Sequence, residues 1–258
     1  MRGAAYLSGI QDSIIVDIGG TTSDVGYIKA GFPRQSAIAT DVGGVRTNFR
    51  MPDIISIGLG GGSLIRDNGN KVGPDSVGYR LTEKALVFGG DTLTATDIAV
   101  KHYDLDIGDK SLLNKLDDST VKNAKQEITR LLEEAVDKMK TSAENVPAVF
   151  VGGGTILNKE NLNGISELVI PDNFAVANAV GAALGQVSGE VDRVFHYEKL
   201  GREKTIEQAS NEAKQLAKEA GAKESSIEIN EINENPLAYL PGKSVRLQIK
   251  AIGDLENY

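Results

Sequence analysis

The feature that most constrains this chain is a short apolar run, Ser13-Ile14-Ile15-Val16-Asp17-Ile18, that stops at Gly19-Gly20-Thr21-Thr22 and is followed by a second apolar run from Val25 to Ile28. Apolar runs of this length bounded by glycine read as a buried strand, a tight turn and a returning strand. Glycines at such a turn let backbone N–H groups approach an anion with no Cβ in the way, and the two threonine hydroxyls add donors. Gly19, Gly20, Thr21 and Thr22 are therefore candidate phosphate-binding residues. Asp17 and Asp24 flank the turn and are candidates to order a magnesium ion beside those phosphates. The string is not a Walker loop, because no Gly-Lys-Ser/Thr opens a helix, and a strand follows where a dinucleotide fingerprint needs a helix.

Two further glycine runs lie downstream. Gly60-Gly61-Gly62-Ser63 sits in a stretch from Gly43 to Gly78 with no helical period, expected to hold loops and short strands around a ligand. Its backbone donors and the Ser63 hydroxyl suit a phosphate or carboxylate, and a plain surface loop is the bland alternative. Gly152-Gly153-Gly154 ends the buried run Pro147 to Val151 and leaves room for a flat adenosine, or simply makes a tight turn. Asp53 either aims a carboxylate at the same cleft or serves a turn. Asp97, after Thr96, either caps a short helix from Thr94 to His102 or faces the cleft. Asp17, Asp53 and Asp97 are thus the candidate catalytic carboxylates.

Composition removes other chemistries. With 28 Lys and Arg against 36 Asp and Glu, the chain carries a formal charge of −8. No basic stripe is available to neutralise a nucleic-acid backbone. No apolar run approaches a membrane span and no signal pattern opens the chain, so the expected compartment is the cytoplasm. There is no cysteine, and the two histidines, His102 and His196, are far apart and read as structural. Any metal must then be held by oxygen, which favours Mg2+.

From Asp118 to about Lys140, Val121, Ala124, Ile128, Leu131, Leu132, Ala135 and Met139 recur on one helical face. Asn173 to Leu184 reads as a small-residue helix. Beyond Ser188-Gly189-Glu190 glycine becomes scarce and charge denser, which places a boundary between residues 1–189 and a small α+β subdomain, 190–258. There Thr205-Ile206-Glu207-Gln208 reads as a capping box opening a helix with Ile206, Ala209, Ala213, Leu216 and Ala220 inward and Gly221 as its stop. Ser225 to Glu231 and Ser244 to Ile252 alternate like half-exposed strands.

The order of the three glycine runs resembles that of the actin, sugar kinase and heat-shock ATPase superfamily. The finer resemblance is to the C-terminal half of the hydantoinase A/oxoprolinase family. It runs through Met1-Arg2-Gly-Ala-Ala, Asp17 to Thr22, Ile57 to Ser63, Thr94-Ala95-Thr96-Asp97, Val151 to Gly154, Val187 to Val191 and Pro236 to Gly242, nearly the whole chain. This resemblance implies an α/β, actin-like (ribonuclease H-like) half-fold with a mixed sheet and flanking helices, plus the small α+β subdomain. It implies an ATP- and Mg2+-dependent hydrolase that opens hydantoin or 5-oxoproline rings after phosphorylating the carbonyl. A ketone carboxylase subunit or a nucleotide-binding module without chemistry of its own are the alternatives. It further implies Asp17 ordering magnesium, Gly19 to Thr22 on the phosphates, and Gly152 to Gly154 at the adenosine. Such proteins carry another glycine turn of this kind in a preceding half, so the partners expected are a cyclic amide, an N-terminal half or companion subunit, and an oligomeric assembly.

Overall fold

The protein, seen here in a computed structural model, is described for residues 1–36, 41–42, 45–46, 52–238, 240 and 243–255. Within the stretch from Gly43 to Gly78, residues 43–44 and 47–51 lie outside the described residues, as do Tyr239, Pro241 and Gly242 of the Pro236 to Gly242 motif. The chain divides into two compact units, Met1–Ala182 and Ala183–Tyr258.

The first unit opens with helix α1 (Arg2–Ser8), then the hairpin β1 (Ser13–Ile18) and β2 (Ser23–Lys29), followed by short strands β3 (Phe32–Pro33), β4 (Asp41–Val42) and β5 (Val45–Arg46). Strand β6 (Ile54–Ile57) and the hairpin β7 (Ser63–Arg66) and β8 (Lys71–Ser76) come next. Helices α2 (Leu81–Lys84), α3 (Ala95–Tyr103) and α4 (Asp118–Met139) precede β9 (Val146–Val151), β10 (Ile165–Val169) and helix α5 (Ala177–Ala183). The central sheet runs β10-β9-β1-β2-β3, with β6 also on β2. Strand β9 is parallel to both β1 and β10, whereas β2 is antiparallel to β1, β3 and β6, so the sheet is mixed.

Alternation along the central strands sends side chains to two cores. Ile14, Val16, Ile18, Val25, Ala148 and Phe150 pack with Ala124, Ile128 and Leu132 of α4 and Ile98 of α3. Ile15, Ile28, Val149 and Val151 pack on the other face with Ala4 and Ala5 of α1 and Ala177 of α5. Because neighbours along a strand point to opposite faces, Asp17 shares the α1 and α5 face with Ile15. The long helix buries the stripe expected of it except Leu131, which is half-buried, with Val136 and Lys125 added. The run from Asn173 is interrupted: a 3-10 turn, Phe174–Val176, precedes α5, and Asn173 itself has φ 61°.

The second unit holds β11 (Gln186–His196), α6 (Tyr197–Leu200), α7 (Arg202–Glu219), β12 (Glu228–Pro236) and β13 (Ser244–Asp254). Its sheet order is β11-β13-β12, all antiparallel. The 189/190 boundary falls inside β11, which pairs with β13 without interruption from Gln186 to His196, and the division comes before that strand. The Thr205 capping box is not formed. Helix α7 starts at Arg202 with Gly201 as its cap, and the Thr205 hydroxyl donates back to the Gly201 carbonyl at 2.8 Å. Its buried row is Thr205, Ala209, Ala213 and Ala217, while Leu216 is exposed. Gly189 of β11 lies against the helix backbone, where a Cβ would stand 2.2 Å from the Ala213 carbonyl oxygen and 2.3 Å from Ala217 N, so strand and helix approach closely over this small-residue row. Among the described residues no helix is long and apolar enough to cross a membrane.

Candidate functional site

The turn between β1 and β2 is closed by Gly19 N–H donating to the Thr22 carbonyl at 2.9 Å, with Ile18 registered opposite Ser23. Among the described residues the N–H groups of Gly20, Thr21 and Thr22 have no acceptor, and all three residues are exposed. Consecutive free amides on an exposed turn are the backbone donors from which an anion site can be built.

The Gly60 loop is built differently from the expectation that it wraps an anion. All four of its amides are satisfied within the protein. Gly61 and Gly62 donate to the carbonyls of Gly19 and Gly20 at 3.0 and 2.7 Å, Gly60 to Ser63 Oγ at 2.8 Å, and Ser63 to the Gly60 carbonyl at 3.0 Å. Ser63 is fully buried. A Cβ on Gly60 would stand 2.5 Å from Thr21 N and 2.6 Å from the Gly20 carbonyl carbon. The loop's glycines thus serve contact between two backbones, and its donors fix the carbonyls of Gly19 and Gly20, leaving the turn's own amides without an acceptor.

The third glycine run closes on the same point. Gly152 has φ 89°, and a Cβ there would meet the Ile18 carbonyl and, at 2.5 Å, Asp17 Oδ1. A Cβ on Gly154 would lie 2.7 Å from the Gly19 carbonyl oxygen, whereas Gly153 faces open space. All three runs therefore meet at the end of β1.

Asp17 and Asp24 are direct register partners across the hairpin. Directly opposed residues share a face with Cβ atoms about 5 Å apart, and two like charges so placed repel. Asp17 Oδ2 accepts from Asn178 Nδ2 at 3.0 Å, and Asp24 Oδ1 from the Ser56 hydroxyl. Among the described residues no group of three acidic, histidine or cysteine side chains is arranged for a metal ion. A pair of carboxylates beside free backbone amides nevertheless fits the donor set of Mg2+, which keeps several waters and takes only one or two protein carboxylates.

The other two candidate carboxylates are engaged elsewhere. Asp53 is bound by Arg34 at 2.7 and 3.0 Å. It precedes Ile54, which lies opposite Gly26, while Ile57 at the far end of β6 lies opposite Ser23 beside the turn. That offset is about 10 Å along the strand. Asp97 is fully buried and closes a capping box with Thr94. It accepts from Val87 N, Thr94 N and Thr94 Oγ1, each at 2.8 Å, and from Leu86 N at 3.3 Å. Burial pushes its carboxyl above the usual range, against the pull of these donors. Its neighbour Thr96 donates both N–H and hydroxyl to the Gly61 carbonyl, at 2.9 and 2.8 Å, so the start of α3 anchors the Gly60 loop.

Asn178 and Ser56 were not anticipated. Asn178 is the one polar side chain in the Ala177–Ala183 helix, and Ser56 breaks an isoleucine run, but neither says locally which carboxylate it meets. The end of β8 also reaches the turn: Ser76 Oγ donates to the Gly20 carbonyl at 3.4 Å, and Tyr79 beyond it is 95% exposed.

The model of the hydantoinase/oxoprolinase family matches residues 1–151, more than half of the chain and all of this site except the Gly152 run and Asn178. This chain belongs to the hydantoinase/oxoprolinase family. Its fold is shared with two solved structures, the nucleotide-free acetone carboxylase described for ATP-dependent acetone carboxylation and the ATP-dependent caprolactamase from Pseudomonas jessenii. The first aligns with TM-score 0.60 and 18% identity over 99% of this chain and 48% of the other; the second with TM-score 0.68 and 16% identity over 99% and 49%. The family member described here thus spans about half the length of those chains. The fold is the actin-like α/β half-fold with a mixed sheet and flanking helices. No curated protein sequence matches.

Proposed function

We propose that this chain is the nucleotide-gripping half of an ATP-dependent enzyme that activates a carbonyl by phosphorylation and opens a cyclic amide. The observation that carries the reading is the run of three free amides, Gly20, Thr21 and Thr22, beside the opposed carboxylates Asp17 and Asp24. In this reading the amides hold the terminal phosphates, Asp17 and Asp24 order Mg2+, and Gly153, with open space at its Cα, borders the adenosine. Asn178 holds the Asp17 carboxylate by a hydrogen bond, and Gly152, lacking a Cβ, leaves room for it.

The chemistry requires activation because a ring amide is a poor electrophile at neutral pH. ATP supplies a phosphoryl group to the carbonyl oxygen, an O–P bond forming as the bond to ADP breaks. Water then adds to the carbon and the ring C–N bond breaks, the nitrogen leaving with a proton. A second water releases phosphate from the resulting acyl phosphate. Catalysis by positioning needs the substrate enclosed. The half-length match to both solved structures supports a companion half or subunit that supplies the facing wall. Both structures cover this chain equally, so a carboxylase subunit is the second reading.

Titration calorimetry of the isolated chain with Mg-ATP tests the grip. Expected is binding that is lost in Asp17→Ala, and no binding by the wild type would sink the reading. In the complete assembly, ATP cleavage stimulated by hydantoin, 5-oxoproline or caprolactam supports ring opening. Stimulation by bicarbonate with a ketone, and by none of the amides, would assign the carboxylase reading instead.

A further inference from the structure

A concavity of about 390 Å³ lies on the α3 and α4 side of the central sheet, the face opposite the Asp17 and Asp24 side chains. Its charged lining comes from three places: Lys101 and His102 at the end of α3, Asp118, Lys122 and Lys125 on the first half of α4, and Glu160 in the segment after the Gly152 run. Three lysines in one hollow are unexpected on a chain whose net charge is −8.

The charges are unequally matched. Glu160 serves Lys125 and His102, each at 3.6 Å. Lys125 is 94% buried by its 6% exposure, and its ammonium is held at 2.6 Å by Asn158 Oδ1 and at 3.0 Å by Thr129 Oγ1. It forms a fixed floor. Lys101 and Lys122 have no ion-pair partner among the described residues. Asp118 makes no ion pair either and sits in the first turn of α4, where the helix dipole already favours its charge. The result is a hollow with a rigid cation at its base and, on its walls, two ammonium groups and the Asp118 carboxylate, none of them ion-paired among the described residues.

We propose that this hollow is a second anion site, taking a small metabolite with clustered oxyanion charge, a phosphate ester or a polycarboxylate, held chiefly by Lys101 and Lys122. Its volume lies at the lower end of the range for small-molecule pockets, large enough for such a compound. Its position gives occupancy a mechanical meaning. Lys101 and His102 end the helix whose first turn holds the Gly61 carbonyl, and Lys125 holds Asn158 at the end of the 3-10 turn that begins at Gly153. The site is independent of the nucleotide reading and stands or falls separately.

The two histidines make the test direct, because His102 lines the hollow and His196 lies in the second unit, bonded to Ser244. Histidine ring proton resonances, assigned with His196→Gln, are followed while inorganic phosphate or citrate is added at pH 8 and constant ionic strength. The expected result is a saturable shift of the His102 signals only, with the tighter of the two probes showing whether phosphate or carboxylate is preferred. The Lys101→Ala/Lys122→Ala variant, altered at one half-buried and one exposed lysine and checked by its melting curve, should bind at least tenfold more weakly. Gly20→Ala should leave the response intact. A still His102 signal, an undiminished response in the double lysine variant, or loss of the response in Gly20→Ala would each overturn the proposal. The last outcome would assign the anion to the glycine turn.

Discussion

Gly20 and Gly60 are both glycines of the same site, yet the structure gives them opposite duties, and alanine at each separates the two. At Gly60 a methyl group would stand 2.5 Å from Thr21 N, 2.6 Å from the Gly20 carbonyl carbon and 2.8 Å from the Gly19 carbonyl oxygen. These are backbone atoms in a turn and cannot swing aside. Relief needs a separation of about 1 Å, since unstrained contacts sit near 3.5 Å. Overpacking of this kind costs about 1–3 kcal/mol. The same movement stretches the bonds from Gly61 and Gly62 to the Gly19 and Gly20 carbonyls, each worth about 1 kcal/mol. Gly60→Ala should therefore lose about 3 kcal/mol, a fall in melting temperature of about 6–12 °C for a unit of this size. Gly20→Ala meets nothing within 4 Å and its φ lies outside the left-handed region, so its melting curve should overlay the wild type. Its methyl group instead stands beside the turn's free amides, and Mg-ATP affinity should fall at least tenfold, about 1.4 kcal/mol. Calorimetric melting and ligand titration on both variants give the full comparison. A Gly60→Ala melt within 2 °C of wild type, or wild-type nucleotide affinity in Gly20→Ala, would refute the division of labour.

Asp97→Asn replaces one acceptor oxygen with an NH2 donor that faces backbone donors, so a loss of about 2–3 kcal/mol in urea or thermal unfolding is expected, and an unchanged midpoint would show that the capping box is dispensable. Asp24→Asn removes the cross-strand repulsion with Asp17, which should raise stability by about 0.2–1 kcal/mol in metal-free buffer while weakening the Mg2+ dependence of nucleotide binding; a loss of stability would contradict the opposed-carboxylate geometry. In the second unit, the Arg202 guanidinium and the Tyr197 hydroxyl hold the Glu234 carboxyl below its ordinary 4.5. The unfolded chain binds that proton first as pH falls, so the contribution is complete above pH 4.5 and is lost as acidification passes through the lower, folded value. Glu234→Gln should flatten the acid limb of the stability profile, and an unaltered limb would remove this group from the account.

Much of the site was legible because its signals are local. The β1 and β2 hairpin follows from apolar runs around a glycine turn, and the inward stripe of α4 from a 3.6-residue period. The resemblance to the family rested on strings of adjacent residues and needed no contact map. Where two local readings competed, at Asp97 and at the Gly60 loop, sequence could name the alternatives but not choose, because the choice depends on residues far along the chain. Asp97 becomes structural through Leu86 and Val87, and the Gly60 loop through the carbonyls of Gly19 and Gly20.

Tertiary structure alone decided the remaining assignments. Arg34 claims Asp53, Asn178 reaches Asp17 across 161 positions of sequence, and Lys125 is buried on a helix face where a lysine reads as solvent-facing until Asn158 is found opposite it. The inward row of α7 is Thr205, Ala209, Ala213 and Ala217, with Gly189 of β11 close against the helix backbone at Ala213 and Ala217. Periodicity and turn chemistry are properties of neighbours in the chain, so the sequence determined the hairpin, the long helix and the glycine turn offered to an anion. Which carboxylates remain free for chemistry depends on which donors arrive from elsewhere, and that was decided only when the sheet brought the end of β1, the Gly60 loop and the Gly152 run together.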